Sequence, residues 1–137
     1  MKSRLKNGFT MAELLIVVAI VGVLVAISIP IFTSQLEKAR EAVDEANLRN
    51  AYAEVSAAVL TEQDTTGATA QGKLGKLTKA DDGKSYSMTV EATQTDGNSW
   101  VGSKPSIGGQ EVDPSAKGWT VTVTDAGACT ITADATN

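Results

Sequence analysis

Histidine is missing from all 137 residues, and with it the commonest general base and the commonest metal ligand. A single cysteine, Cys129, excludes an intramolecular disulfide and reads as a small core residue in a strand. The sequence offers no nucleophile–base pair, no phosphate-cradling glycine loop and no cluster with metal-ligand spacing. These gaps argue against an enzyme, and no catalytic, cofactor-binding or metal-binding residue is expected. Positive charge is also scarce after Gly8, where nine basic residues stand against sixteen acidic ones. Phosphate binding needs a basic surface, so nucleic acid is not expected as the main partner. The acidic stretches Asp81-Asp82-Gly83 and Asp96-Gly97-Asn98 fall short of the roughly six to eight oxygens that a calcium ion takes, and read as plain turns.

What is present begins with three basic residues, Lys2, Arg4 and Lys6, followed by an apolar run from Leu14 to Ile27. The positive-inside rule leaves such an N-terminus in the cytoplasm and sends Ile31 onward outward. Three fates fit. The run is a secretory signal cut near Ala26-Ile27-Ser28, or a retained anchor, since Phe9 to Ile29 has the roughly 20 residues that a bilayer needs, or the cut falls on its near side and removes only the basic leader. Glu13 discriminates among them. A carboxylate costs about 2.5–3.5 kcal/mol in a membrane-spanning helix, and neither a disposable signal nor a plain anchor has a use for it. Cutting after Gly8 frees the Phe9 amine, a cation with a pKa of about 8, four residues from Glu13.

Gly8-Phe9-Thr10-Met11-Ala12-Glu13-Leu14, then apolar sequence to Pro30, closely resembles the class III signal of type IV prepilins and the related pseudopilins. The resemblance runs from Lys2 to Pro30, and beyond about Gln63 it is one of architecture only. It implies an α+β fold, the type IV pilin fold, in which a long N-terminal α-helix has a protruding apolar half and an amphipathic half packed on a small antiparallel β-sheet head. It also implies cleavage between Gly8 and Phe9 by prepilin peptidase, with methylation of the new Phe9 amine. Glu13, Phe9 and Pro30 become the assembly residues. The precursor is expected in the cytoplasmic membrane with its N-terminus inside and head outside. An inner-membrane assembly platform and ATPase machinery would then carry it into an extracellular homopolymeric filament. The leading expectation is the major pilin of a type IV pilus serving adhesion, motility or DNA uptake. The alternatives are a pseudopilin of a type II secretion or competence system, and a membrane-anchored extracellular binding module that never polymerises.

After Pro30 the periodicity is helical. Phe32, Leu36, Ala39, Val43, Ala46, Asn50, Ala53, Ala57 and Leu60 form a stripe in steps of three and four, and Leu48, Tyr52, Val55 and Val59 widen it. Arg40 with Asp44, and Glu45 with Arg49, are spaced as i,i+4 ion pairs. A helix from about Thr10 to Glu62 would be roughly 80 Å long, weakened at Gly22 and kinked but continuous at Pro30. Gln63 to Gly72 reads as a loop. Tyr86, Met88 and Val90, then Trp119, Val121 and Val123, alternate with small polar residues as half-buried strands do, and Asp125-Ala126-Gly127 turns into a last strand at Cys129-Thr132. The stripe from Val43 to Leu60 is expected to cover this sheet, and Gly102 to Gly118 to wander irregularly. The organisation expected is a leader at 1–8, an apolar helix at 9–30, an amphipathic helix at 31–62 and a β head at 63–137.

Overall fold

The computed structural model describes residues 7–135; the leader cations Lys2, Arg4 and Lys6 lie outside the described residues. One helix, α1, runs Met11–Thr61 with Pro30 inside it. It ends where Glu62 takes a left-handed conformation at φ 48°. The Gln63 N–H then donates to the Ala58 carbonyl at 3.1 Å and the Glu62 N–H to Val59 at 3.4 Å. This is a Schellman closure, here built on a residue with a side chain rather than on glycine. The chain divides into two compact units between Gln35 and Leu36.

The second unit holds the sheet. Its strands are β1 Thr78–Lys79, β2 Tyr86–Glu91, β5 Gly118–Val123 and β6 Cys129–Ala133, antiparallel throughout and ordered β1-β2-β5-β6. The register pairs Tyr86 with Val123, Met88 with Val121 and Val90 with Trp119. The period of two thus places all six on the inner face, where each is buried. Leu48, Ala51, Val55 and Ala58 of α1 complete the core, and none of them is exposed. Between β2 and β5, the stretch expected to be irregular contains a small hairpin, β3 Ser106–Ile107 with β4 Gln110–Glu111. Gly108 and Gly109, at φ 59° and 80°, make the turn that a two-residue hairpin demands.

Of the stripe expected to cover the sheet, the widening residues Leu48, Tyr52, Val55 and Val59 do pack on the core, but the main line faces outward instead. Leu36, Ala39, Val43, Ala46, Asn50, Ala53, Ala57 and Leu60 are all exposed; Val43 retains 49 % of its surface and Leu60 85 %. The buried set is Glu37, Glu41, Asp44, Leu48, Ala51, Val55 and Ala58. Both sets have helical spacing, and the buried one opens with three carboxylates, which no apolar pattern reveals.

Those carboxylates hold the chain that follows β2. Asp44 accepts the backbone N–H groups of Thr93 and Gln94, each at 2.8 Å. Glu37 accepts those of Thr95 and Asp96 and the Thr95 hydroxyl. Glu41 accepts Val101 and Gly102. Three acids one turn apart therefore satisfy six backbone donors of a segment that has no strand neighbour, which answers where a buried loop's hydrogen bonds go. The Arg40–Asp44 pair is not formed: Arg40 bridges to Glu37 at 3.1 Å, and Asp44 is taken by the loop. Glu45–Arg49 does form.

Burial pushes the Glu37 carboxyl up, but the N–H groups of Asp96 and Thr95, the Thr95 hydroxyl and Arg40 outweigh it and hold the group down from 4.5 to about 2. Within this segment Trp100 stacks on Trp119 with ring centres 5.9 Å apart, and the two indole N–H groups donate to Val112 and Asp113 carbonyls.

Candidate assembly site at the amino terminus

The first unit begins in chain with no regular secondary structure. Gly8 and Phe9 precede the helix, and both are exposed, Phe9 to 90 %.

Helix α1 starts through a reciprocal cap. The Thr10 hydroxyl accepts the Glu13 N–H at 3.2 Å, while the Glu13 carboxylate accepts the Thr10 N–H at 3.1 Å. This is a capping box, Thr-x-x-Glu, which satisfies two of the donors that every helix N-terminus leaves open. A carboxylate in the first turn also meets the positive end of the helix dipole. Glu13 therefore has a partner within its own chain before any cleavage. Thr10 is the residue that reading for charge alone passes over, although the Thr10–Glu13 spacing is itself the signal.

A carboxylate has about four lone-pair sites, so the cap leaves acceptor capacity for a cation. Downstream, an 18-residue window of α1 is apolar enough to cross a membrane, and none of it is buried. Pro30 lies within the unbroken helix. It has no N–H to give to the carbonyl one turn back. Nearby hydroxyls turn onto the backbone, Ser28 to the Leu24 carbonyl at 2.7 Å and Thr33 to the Pro30 carbonyl at 3.0 Å. The structure thus brings Glu13 to Thr10 at the mouth of the apolar run, beside exposed Gly8 and Phe9, while Pro30 stands well down the helix.

Residues 3–29 match the family model described as a prokaryotic N-terminal methylation motif. That motif is consistent with the resemblance to the class III signal of type IV pilins and pseudopilins. The matched stretch spans the Gly8–Phe9 junction, the capping box and nearly all of the apolar run. The long helix packed on a small antiparallel sheet is consistent with the type IV pilin α+β fold. No curated protein and no solved structure matches the chain.

Proposed function

We propose that this chain is the major subunit of an extracellular type IV pilus. The observation that carries the reading is Glu13, held by Thr10 at the head of an uncovered apolar helix, four residues from the bond whose cleavage would create a cation. On this reading prepilin peptidase removes residues 1–8 and methylates the Phe9 amine. Residues 9–30 then anchor the subunit in the membrane, N-terminus inside and head outside, and an assembly platform with its ATPase transfers it into the filament. There the apolar helices pack on one another, while 31–62 and the head at 63–137 form the outer layers.

Lipid tails are as apolar as leucine, so moving the helix from lipid to protein supplies little hydrophobic driving force. Packing and the assembly machine must supply the rest. The test is to shear fibres from the cell surface, identify their main protein and take its intact mass. The expected result is this chain, lacking Met1 to Gly8 and carrying one added methyl group. Its absence from surface fibres, with the protein held in a periplasm-spanning or cell-envelope assembly, would assign it to the pseudopilins instead. A mature N-terminus at Ile29 would make the apolar run an ordinary signal peptide and end the reading.

A further inference from the structure

A stripe down the middle of the outward face of α1 is free of charge for its whole length in the second unit. A solvated helix face ordinarily carries charged residues, and this stripe has none at any of its eight positions from Leu36 to Leu60. Its steps of three and four make a heptad seam. Leu36, Val43, Asn50 and Ala57 fall on one set of seam positions; Ala39, Ala46, Ala53 and Leu60 fall on the other. Four alanines allow two backbones to come close, and Leu36, Val43 and Leu60 supply the apolar contact.

The flanking residues say what fits there. In two parallel helices aligned in register, the residue just before one seam position faces the residue five places further along the other chain. That rule sets Arg49 against Glu54 of a second copy, twice by symmetry, and Ala42 against Asn47, so no like charges meet. The same alignment places Asn50 opposite Asn50. A lone buried asparagine at that seam position is the best-attested device for fixing register, because any slip leaves its amide among apolar groups. Arg49 now pairs with Glu45 on its own helix, with its side chain 64 % exposed. Such exposed pairs contribute little and exchange readily.

We propose that this seam pairs two copies of the chain, parallel and in register, with Asn50 setting the register and Arg49–Glu54 contacts on both flanks. The inference rests on the reading that subunits stand side by side in one membrane. It concerns the stored form: in the proposed filament Glu13 would meet the Phe9 amine of an adjacent subunit and so set register, and that docking requires an axial offset that an in-register pair does not have.

The test uses the full-length chain in membranes, with Ala46→Cys as the probe because it leaves Asn50 in place. Cys129 stays, since burial raises the pKa of its thiol and the parent protein sets the background. On mild oxidation Ala46→Cys should give several-fold more disulfide dimer than Thr130→Cys, placed on the exposed face of β6. Adding Arg49→Glu should lower that yield several-fold, and adding Glu54→Arg as well should restore it. A swap that restores nothing overturns the in-register assignment. Equal yields from the two cysteines, in protein shown to be membrane-inserted, overturn the seam while leaving the pilin reading intact. Protein that is not in the membrane at all overturns both.

Discussion

Asp44, with none of its surface exposed, accepts the backbone N–H of Thr93 at 2.8 Å across 49 residues of chain. Glu41 and Glu37 repeat the arrangement one and two turns earlier in the helix. In each case the acid meets two consecutive amides, and only Glu37 adds an arginine, Arg40. Backbone dipoles thus largely stand in for counter-charges, and a loop that lacks a strand neighbour is fixed to the helix by these bonds, with Trp100 as its apolar anchor on Trp119.

Asp44→Ala should destabilise the head strongly. The substitution leaves the Thr93 and Gln94 N–H groups without their acceptor, and each buried unsatisfied donor costs about 1–3 kcal/mol, so a loss of about 2–6 kcal/mol is expected. Asp44→Asn keeps one acceptor oxygen and should lose about half as much. Denaturant unfolding of the full chain in detergent, followed by tryptophan fluorescence, measures both. An alanine variant within about 0.5 kcal/mol of the parent, the ordinary range for a surface substitution, would show that the loop is held by something else.

Acid should release the first of these clamps in a defined window. The Glu37 carboxyl lies at about 2 in the folded chain against an ordinary 4.5. A group with a depressed folded pKa contributes stability that is complete above its unfolded value and is lost as pH falls through the folded one. Glu37 thus stabilises fully above pH 4.5 and progressively less down to about pH 2. Glu37→Gln should be less stable than the parent at neutral pH, and the difference between the two should shrink through that window. A difference that stays constant from pH 6 to pH 2 would mean that Glu37 does not titrate differently on folding.

The helix end makes an opposite prediction. Glu62 holds a left-handed conformation at φ 48°, which costs a residue with a β-carbon roughly 1–2 kcal/mol. Glycine takes that conformation freely, and the two closing hydrogen bonds to Val59 and Ala58 are backbone bonds that survive the change. Glu62→Gly should raise stability by about 1 kcal/mol, seen as a higher unfolding midpoint with an unchanged denaturant slope. A lower midpoint would mean that the Glu62 side chain holds the turn.

Much of this was legible in the residues, and the reasons for the rest are specific. Tyr86-Met88-Val90 and Trp119-Val121-Val123 announce their strands, because a sheet with one buried face writes a period of two into the sequence. The long helix and its apolar start are as plain. The orientation of its second half was not, since two stripes with the same period compete there. Counting apolar residues picks Leu36 to Leu60, yet the head is held by Glu37, Glu41 and Asp44, whose partners are backbone amides more than 45 positions away and carry no side-chain code. The β3–β4 hairpin was readable from Gly108-Gly109, but it was hidden in a stretch whose prolines and glycines suggest irregular chain. At the amino terminus Glu13 drew notice by its charge, and Thr10, which caps it, was visible only through helix-start spacing.

Glu13 now has two roles to separate. One is local: with Thr10 it closes the capping box, and losing such a cap costs a helix about 1 kcal/mol. The other is the proposed register role, in which the charged carboxylate meets the Phe9 amine of an adjacent subunit. An incoming subunit whose Glu13 has no such partner leaves a charge in a dry environment at a cost of several kcal/mol, and only one axial offset relieves it. Glu13→Ala removes both roles, so it cannot tell them apart. Glu13→Gln can, because a glutamine at this position still closes the box but carries no charge. With processing and membrane insertion confirmed for each variant, the register role predicts few or no fibres from either one. Normal fibre number and length from Glu13→Gln, with few from Glu13→Ala, would make the carboxylate a helix cap and nothing more.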